Sequence, residues 1–169
     1  MSLTHSALAF AALQQMHAAL DGILEKGAAY AKSKNIDEDV LINWRLAPDM
    51  FPMGRQVQIA CDVPARGLAR LAGAEPPNFS GDEKTFDELR ARVAKAGDFI
   101  HDLDKAAIDA DPDKEISIPL GSETLTLKRR AYLLNFILPN LYFHVTTCYA
   151  NLRACGVPIG KADYLPGLR

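Results

Sequence analysis

The chain has 169 residues, of which 49% are hydrophobic and 24% charged, a balance typical of a single globular domain and not of a disordered chain. Nineteen basic and 21 acidic side chains give a net charge of −2, which excludes the overall positive field of a nucleic-acid-binding domain. Three cysteines, an odd number with no CxxC pair, argue against a disulfide framework and a thiolate zinc site.

The start of the chain lacks the basic region of a secretory signal, and no apolar stretch approaches ~18 residues. We therefore expect a cytoplasmic protein with no membrane partner.

The first segment, residues 4–32, has the spacing of an amphipathic helix. Phe10, Leu13, His17 and Leu24 fall on one stripe, in which His17 is the polar member. We interpret His17 as a histidine at the edge of the core with one hydrogen bond, because polar groups in cores are normally paired.

A second helix is predicted over residues 52–73, where the spacings are four, three, four and three between Val57, Cys61, Pro64, Leu68 and Leu71. Pro64 lies inside this pattern and removes one internal hydrogen-bond donor. We therefore expect a kink in the helix at this point.

The third helix has the clearest start, a capping box formed by Thr85 and Glu88. Its apolar residues keep a three-four rhythm as far as Ala107, which predicts one continuous helix over that length.

After residue 113 the apolar period changes from helical spacing to alternation, which predicts a small β-hairpin with a turn at residues 121–123. The alternating apolar residues are Ile116, Ile118, Leu120, Leu125 and Leu127. Two strands alone are marginally stable, so we expect the hairpin to cover one edge of the helices near Pro64 or Pro139.

The last helix is predicted over residues 129–155, with a kink at Pro139 and a stop at Gly156. Four long amphipathic helices with short connections predict an all-α fold. The predicted architecture is a single domain, residues 1–169, folded as an up-and-down four-helix bundle with a small β-hairpin before the last helix.

One face of the last helix is polar, since Asn140, His144, Thr147 and Asn151 are spaced four, three and four. This stripe either points into a pocket of the bundle or forms its solvent edge. Apolar neighbours surround His144 in sequence, so we expect its ring to be buried and hydrogen-bonded to the first or second helix.

The cysteines are weak candidates for a nucleophile. Cys61 lies in the apolar stripe of the second helix, and no lysine or arginine adjoins Cys148 to lower its pKa. We interpret both as small hydrophobic residues.

Two stretches of the chain are distinctive: RLAPDMFPMGRQVQIACD (45–62) and, more specific, LPNLYFHVTTCYANLRACGVPIGKADYL (138–165). They resemble a bacterial family known only as a domain of unknown function, and the resemblance covers nearly the whole chain. That family is placed in the DinB/YfiT-like superfamily of proposed metalloenzymes. The resemblance implies a four-helix bundle that, in many superfamily members, holds a divalent metal through one histidine on the second helix and an H-x3-H pair on the last.

Carried over residue by residue, the match to that metal site is partial. Counting back from the end of the last helix, His144 falls on the second histidine of the pair and Asn140 on the first. The counterpart on the second helix is Gln56 or Gln58. Imidazole suits zinc and nickel better than an amide does, so the family's metal chemistry is in doubt for this chain.

Two functions follow as hypotheses. The first is a bundle without a metal or other cofactor that acts as a small-molecule-binding or structural homodimer, with a pocket around Asn140, His144 and Thr147. The missing histidines favour this hypothesis.

The second is a divalent-metal-dependent enzyme that uses zinc or nickel. His144 would be its metal ligand or general base, with Gln58, Asp62 or His17 completing the site. The resemblance would then imply thiol transfer or hydrolysis.

Overall fold

The structure is a computed structural model that describes residues 3–167, the side chain of Leu120 excepted. Helices dominate it, and a two-stranded hairpin precedes the last long helix, as the sequence predicts. The helices are α1 (His5–Lys34), α2 (Glu38–Ile42), α3 (Met53–Ala72), α4 (Phe86–His101), α5 (Lys105–Asp109), α6 (Arg129–Tyr132), α7 (Leu138–Ala154) and α8 (Lys161–Tyr164). A π-helical segment (Leu133–Ile137) joins α6 to α7, and the strands are β1 (Glu115–Leu120) and β2 (Glu123–Lys128).

The four long helices close into a ring around one core. α1 packs on α4 and α7, and α3 packs on the same two helices. The first and second long helices are therefore diagonal partners, with the third and fourth between them. Fully buried apolar side chains from all four fill the centre, among them Leu20, Leu68, Leu89 and Leu141. None of the helices within residues 3–167 is both long and apolar enough to span a membrane.

Most helix ends lie where local chemistry predicts them. Thr85 and Glu88 form both hydrogen bonds of the capping box at the start of α4. Gly73 ends α3 in the left-handed region, with φ of +70°, which costs glycine little.

The predicted third helix is too long, because α4 ends at His101 and a separate helix α5 follows. Asp104 starts α5 by accepting a hydrogen bond from the Ala106 amide. Leu103 and Ile108 are nevertheless buried on either side of this break. The apolar period therefore reports which face is buried, and it continues through a change in backbone direction.

The last long helix contains a π-helical turn just before Pro139. The Leu138 amide donates to the Leu133 carbonyl, five residues earlier, and Pro139 follows in the first turn of α7. Within this continuous helical path, Pro139 lacks the donor for one backbone hydrogen bond, and the irregular turn lies directly before it. The predicted irregularity at Pro139 thus takes the form of a π turn.

The hairpin covers one edge of the bundle, as predicted. Its register pairs Ile116 with Leu127 and Ile118 with Leu125, so these four side chains share the face that packs on the core. Ile118 is the most deeply buried of them, with 3% of its surface exposed. The predicted contribution of Leu120 to this face lies outside the described side chains.

Arg129 fastens the junction between the hairpin and the last helix. Its guanidinium donates to the carbonyl oxygens of Leu71 and Ala107, both at 2.6 Å. A cation at the ends of α3 and α5 satisfies backbone acceptors that those helices leave open. Arg129 therefore has a structural role, since it connects the start of the last helix to α3 and α5.

Candidate functional site

The polar stripe of α7 faces inward and does not form the solvent edge. His144, Thr147 and Asn151 are buried and Asn140 is half-buried. Asn140, Thr147 and Asn151 each donate to the carbonyl oxygen four residues earlier in their own helix, at 2.7, 2.8 and 2.9 Å. Only His144 in the stripe forms a hydrogen bond to another helix within the described chain.

His144 is held by Gln56, which lies on α3. The His144 Nδ1 and the Gln56 Oε1 are 2.6 Å apart, and 8% of the His144 surface is exposed. The Gln56 Nε2 donates to the Phe51 carbonyl at 3.0 Å, which fixes the orientation of the amide. Because Oε1 can only accept, Nδ1 carries the proton and the lone pair of the imidazole is on Nε2. The expected burial and inter-helix hydrogen bond of His144 are thus confirmed.

The surroundings of His144 keep it neutral. Burial, and secondly the positive charge of Arg55, lower the pKa of His144 to about 4. The same positive charge opposes the approach of any other cation to this imidazole.

Gln58 and Asp62 belong to a different group of side chains, centred on the buried Arg92 of α4. Asp62 accepts from Arg92 at 2.6 Å, and Glu83 also pairs with Arg92. Gln58 donates to Glu83 at 2.9 Å. This Arg92 cluster ties the segment before α4 to α3, and the Asp62 carboxylate is neutralised within it. Of the two glutamines, Gln56 is therefore the one beside His144.

His17 lies apart from both groups, on the wall of a cavity of about 510 Å³ between α1 and α4. Burial lowers the pKa of His17 to about 4, and the Ala60 backbone opposes this in part. Its Nε2 is buried without a hydrogen-bond partner among the described residues. Nowhere among residues 3–167 do three or more His, Cys, Asp or Glu side chains form a group that could hold a metal ion.

Cys61 and Cys148 are buried and protonated. Burial raises the pKa of the Cys61 thiol to about 12 and that of the Cys148 thiol still further. Neither supplies a thiolate nucleophile at neutral pH.

A cleft of about 220 Å³ opens on the outer face of α3, between the hairpin and the π-helical segment. α3 contributes Arg55, Ile59, Asp62, Val63, Arg66 and Arg70, the hairpin Ile118 and Pro119, and the last long helix Tyr132 and Phe136. We call this the arginine cleft. Sequence reasoning missed it, although the spacing of Arg55, Asp62, Arg66 and Arg70 places them on one face of a helix.

The arginine cleft reaches the neighbourhood of His144 at one end. Arg55 lines the cleft and is also the charge that acts on His144. Phe136 lines it as well, and its carbonyl accepts from Asn140. Of the predicted residues, Asp62 lines the arginine cleft and Gln58 accepts from Arg55 at 2.8 Å. Asn140, His144 and Gln56 lie beyond this end of the cleft, and His17 lies elsewhere.

The family described as Domain of unknown function (DUF1993) matches residues 7–165. The chain belongs to this family.

A crystal structure of a DinB family member from Shewanella denitrificans is similar over nearly the full length. The two chains are 35% identical with a TM-score of 0.88, and the alignment covers 99% of this chain and 97% of that one. The likeness confirms a DinB-like helical fold for this DUF1993 chain. No curated protein matches the sequence.

Proposed function

We propose that this chain is a small-molecule-binding DinB-like bundle that works without the superfamily's three-histidine metal site or another cofactor. The observation that carries the proposal is the hydrogen bond between Gln56 and His144. The Gln56 oxygen accepts a hydrogen bond from Nδ1–H of His144 and its nitrogen donates to the Phe51 carbonyl, so both polar atoms of the amide are engaged. It orients the imidazole and is not free to bind a metal.

The donor set around His144 does not fit a transition metal. Asn140, at the position of the first histidine of the H-x3-H pair, donates to its own helix. Arg55 adds a positive charge nearby. One imidazole, two engaged amides and a guanidinium disfavour zinc or nickel, which bind best to several imidazoles or thiolates.

A second candidate is a divalent-metal-dependent enzyme for thiol transfer or hydrolysis. The neutral His144 ring favours it, because the Nε2 lone pair has no hydrogen-bond partner within the described residues. Gln58 and Asp62 would have to leave the Arg92 cluster to complete such a site, which weighs against it.

Elemental analysis of untagged, dialysed protein separates the two functions. We expect far less than one equivalent of zinc, nickel or iron per chain. One equivalent that survives dialysis would refute the metal-free proposal.

A variant designed to gain a metal site tests whether the amides of Gln56 and Asn140 are what prevents metal binding at His144. The double substitution Gln56→His and Asn140→His would give three imidazoles with His144, and we expect it to acquire stoichiometric zinc or nickel. The matched control, Gln58→His with Asn140→His, should not, because Gln58 contacts Glu83 and not His144. Equal metal uptake by both double variants would show that Gln56 has no special place.

We also propose that the chain forms a homodimer through the surface around the His144–Gln56 pair. Two large aromatic side chains there are exposed, Phe51 by 56% and Phe143 by 58%. The Phe143 ring is 5.1 Å from the His144 ring, and the Phe51 carbonyl bonds to Gln56. Exposed aromatic side chains close together on a surface are typical of protein–protein interfaces.

A further inference from the structure

We propose that the arginine cleft binds a small organic anion, a carboxylate or phosphate group carried on a compact apolar body. The inference rests on the proposed small-molecule-binding function and names the class of ligand. It is argued from the charge, the donors, the apolar walls and the size of the cleft.

The cleft has an excess of positive charge. Arg55, Arg66 and Arg70 line it, and none of the three pairs with a carboxylate in residues 3–167. The acidic residue on its wall, Asp62, is already paired with Arg92 at 2.6 Å. The chain as a whole is slightly negative, so this local excess is not a general property of its surface.

The strongest anion-binding donors lie at the end of the cleft formed by Arg66 and Arg70. These residues are one helical turn apart, so both guanidinium groups can reach a single anion. The Nε of Arg66 donates to the Pro77 carbonyl at 3.2 Å, which leaves its terminal nitrogens for a ligand. The bond to Pro77 thus fixes the Arg66 side chain.

Tyr132 adds a third donor at this end. Its hydroxyl accepts from Arg70 at 3.4 Å, and the residue is 1% exposed. A hydroxyl that accepts from a guanidinium keeps its own proton to donate to a ligand oxygen. The pKa of Tyr132 is raised by burial, so that proton is present at neutral pH.

Apolar side chains form the rest of the wall. Ile59 and Val63 of α3 face Ile118 and Pro119 of the hairpin across the cleft. A volume of about 220 Å³ is below the roughly 300–1,000 Å³ of sites for drug-sized ligands. The body of the ligand is therefore a single ring or a short chain.

Nuclear magnetic resonance titrations of the full chain with benzoate and with phenyl phosphate test the proposal. We expect saturable shifts at the amides of Val63, Arg66, Ile118 and Tyr132 with at least one probe, and the stronger binder identifies the anionic group. Benzamide, a neutral analogue of benzoate, should bind at least about tenfold more weakly than benzoate, since hydrogen bonds to charged groups are stronger than those to neutral groups.

Matched arginine variants locate the site. Arg70→Met and Arg66→Met should each weaken binding about 10- to 100-fold, whereas Arg153→Met, at the end of α7, should leave it unchanged. If either cleft variant fails to fold, the salt dependence of the unmodified protein replaces it, because affinity for the anion should fall as ionic strength rises.

Three results would overturn the inference: no saturable shift with either anion at millimolar concentration, benzamide binding as tightly as benzoate, or Arg153→Met weakening binding as much as the cleft variants. Tight binding of benzamide at these same amides would leave the small-molecule function standing and remove only its anionic ligand. A failure of the metal-free proposal would appear separately, in the elemental analysis.

Discussion

His144 and His17 are neutral imidazoles in the bundle, and their burial should make the protein less stable in acid. Burial lowers the pKa of both to about 4, below the ordinary value of 6.5. Between pH 4 and pH 6.5 the two histidines are largely protonated in the unfolded chain and largely neutral in the folded chain. The free energy of unfolding should therefore fall as pH decreases from about 6.5 to about 4, by up to about 1.4 kcal/mol per pH unit for each histidine.

Urea unfolding at several pH values measures this slope. His144→Gln should lower the slope of unfolding free energy against pH by the contribution of one histidine. His101→Gln is the control, because His101 is exposed. A slope that His144→Gln leaves intact would mean that the ring takes up its proton without loss of the fold.

The Arg92 cluster should be the most sensitive polar group in the chain. Arg92→Leu would leave Asp62 and Glu83 beside one another without their cation, in a region where Arg92 itself is 5% exposed. Removing one partner of a buried ion pair costs about 3–5 kcal/mol, and we expect a loss of that size in urea unfolding.

Arg90 offers a control on the same helix. It pairs with Asp21 at 2.7 Å, but at the surface, so Arg90→Leu should cost at most about 1 kcal/mol. Equal losses for the two variants would contradict a special role for the buried cluster.

At the scale of elements, the hairpin should behave as part of the bundle. Ile118→Ala would open a space between the hairpin and the core, and we expect a loss of about 2–5 kcal/mol in the free energy of unfolding. Leu125→Ala, at the half-buried partner position, should lower it in the same direction by less.

Thr126→Ala is the control for the hairpin, since Thr126 lies on the opposite, exposed face of β2. A loss below about 0.5 kcal/mol for Ile118→Ala, as small as that expected for the control, would show that the hairpin is an independent flap.

At the scale of the whole molecule, the proposed homodimer predicts a stability that depends on protein concentration. Phe143→Ser should shift the sedimentation profile from dimer to monomer and abolish that dependence. Leu134→Ser, which removes another exposed apolar side chain of the same long helix, should leave the profile unchanged. A monomeric unmodified protein across the measured range would refute the dimer.

The sequence alone predicts the four long helices and the hairpin, but neither the break between α4 and α5 nor the site. Apolar period and capping residues define the long helices, because both are local properties of the chain. The choice between Gln56 and Gln58 is not local: two residues along a helix point in nearly opposite directions, and only the packing of α3 on α7 selects Gln56. The arginine cleft was missed because one wall comes from the hairpin, some fifty residues beyond Val63.

The π turn before Pro139 gives the last long helix an extra residue relative to an α-helical path. The wider turn absorbs this residue, because five residues of π-helix turn the chain by about as much as four residues of α-helix at about 100° each. Deleting the exposed Leu134 should therefore restore an α-helical path and leave α6 and α7 in phase. Tyr132 should then stay beside Arg70, and Arg129 should keep the carbonyl of Leu71. The π turn thus accommodates an inserted residue without changing the angular phase between the half of the helix whose Arg129 contacts α3 and the half that carries His144.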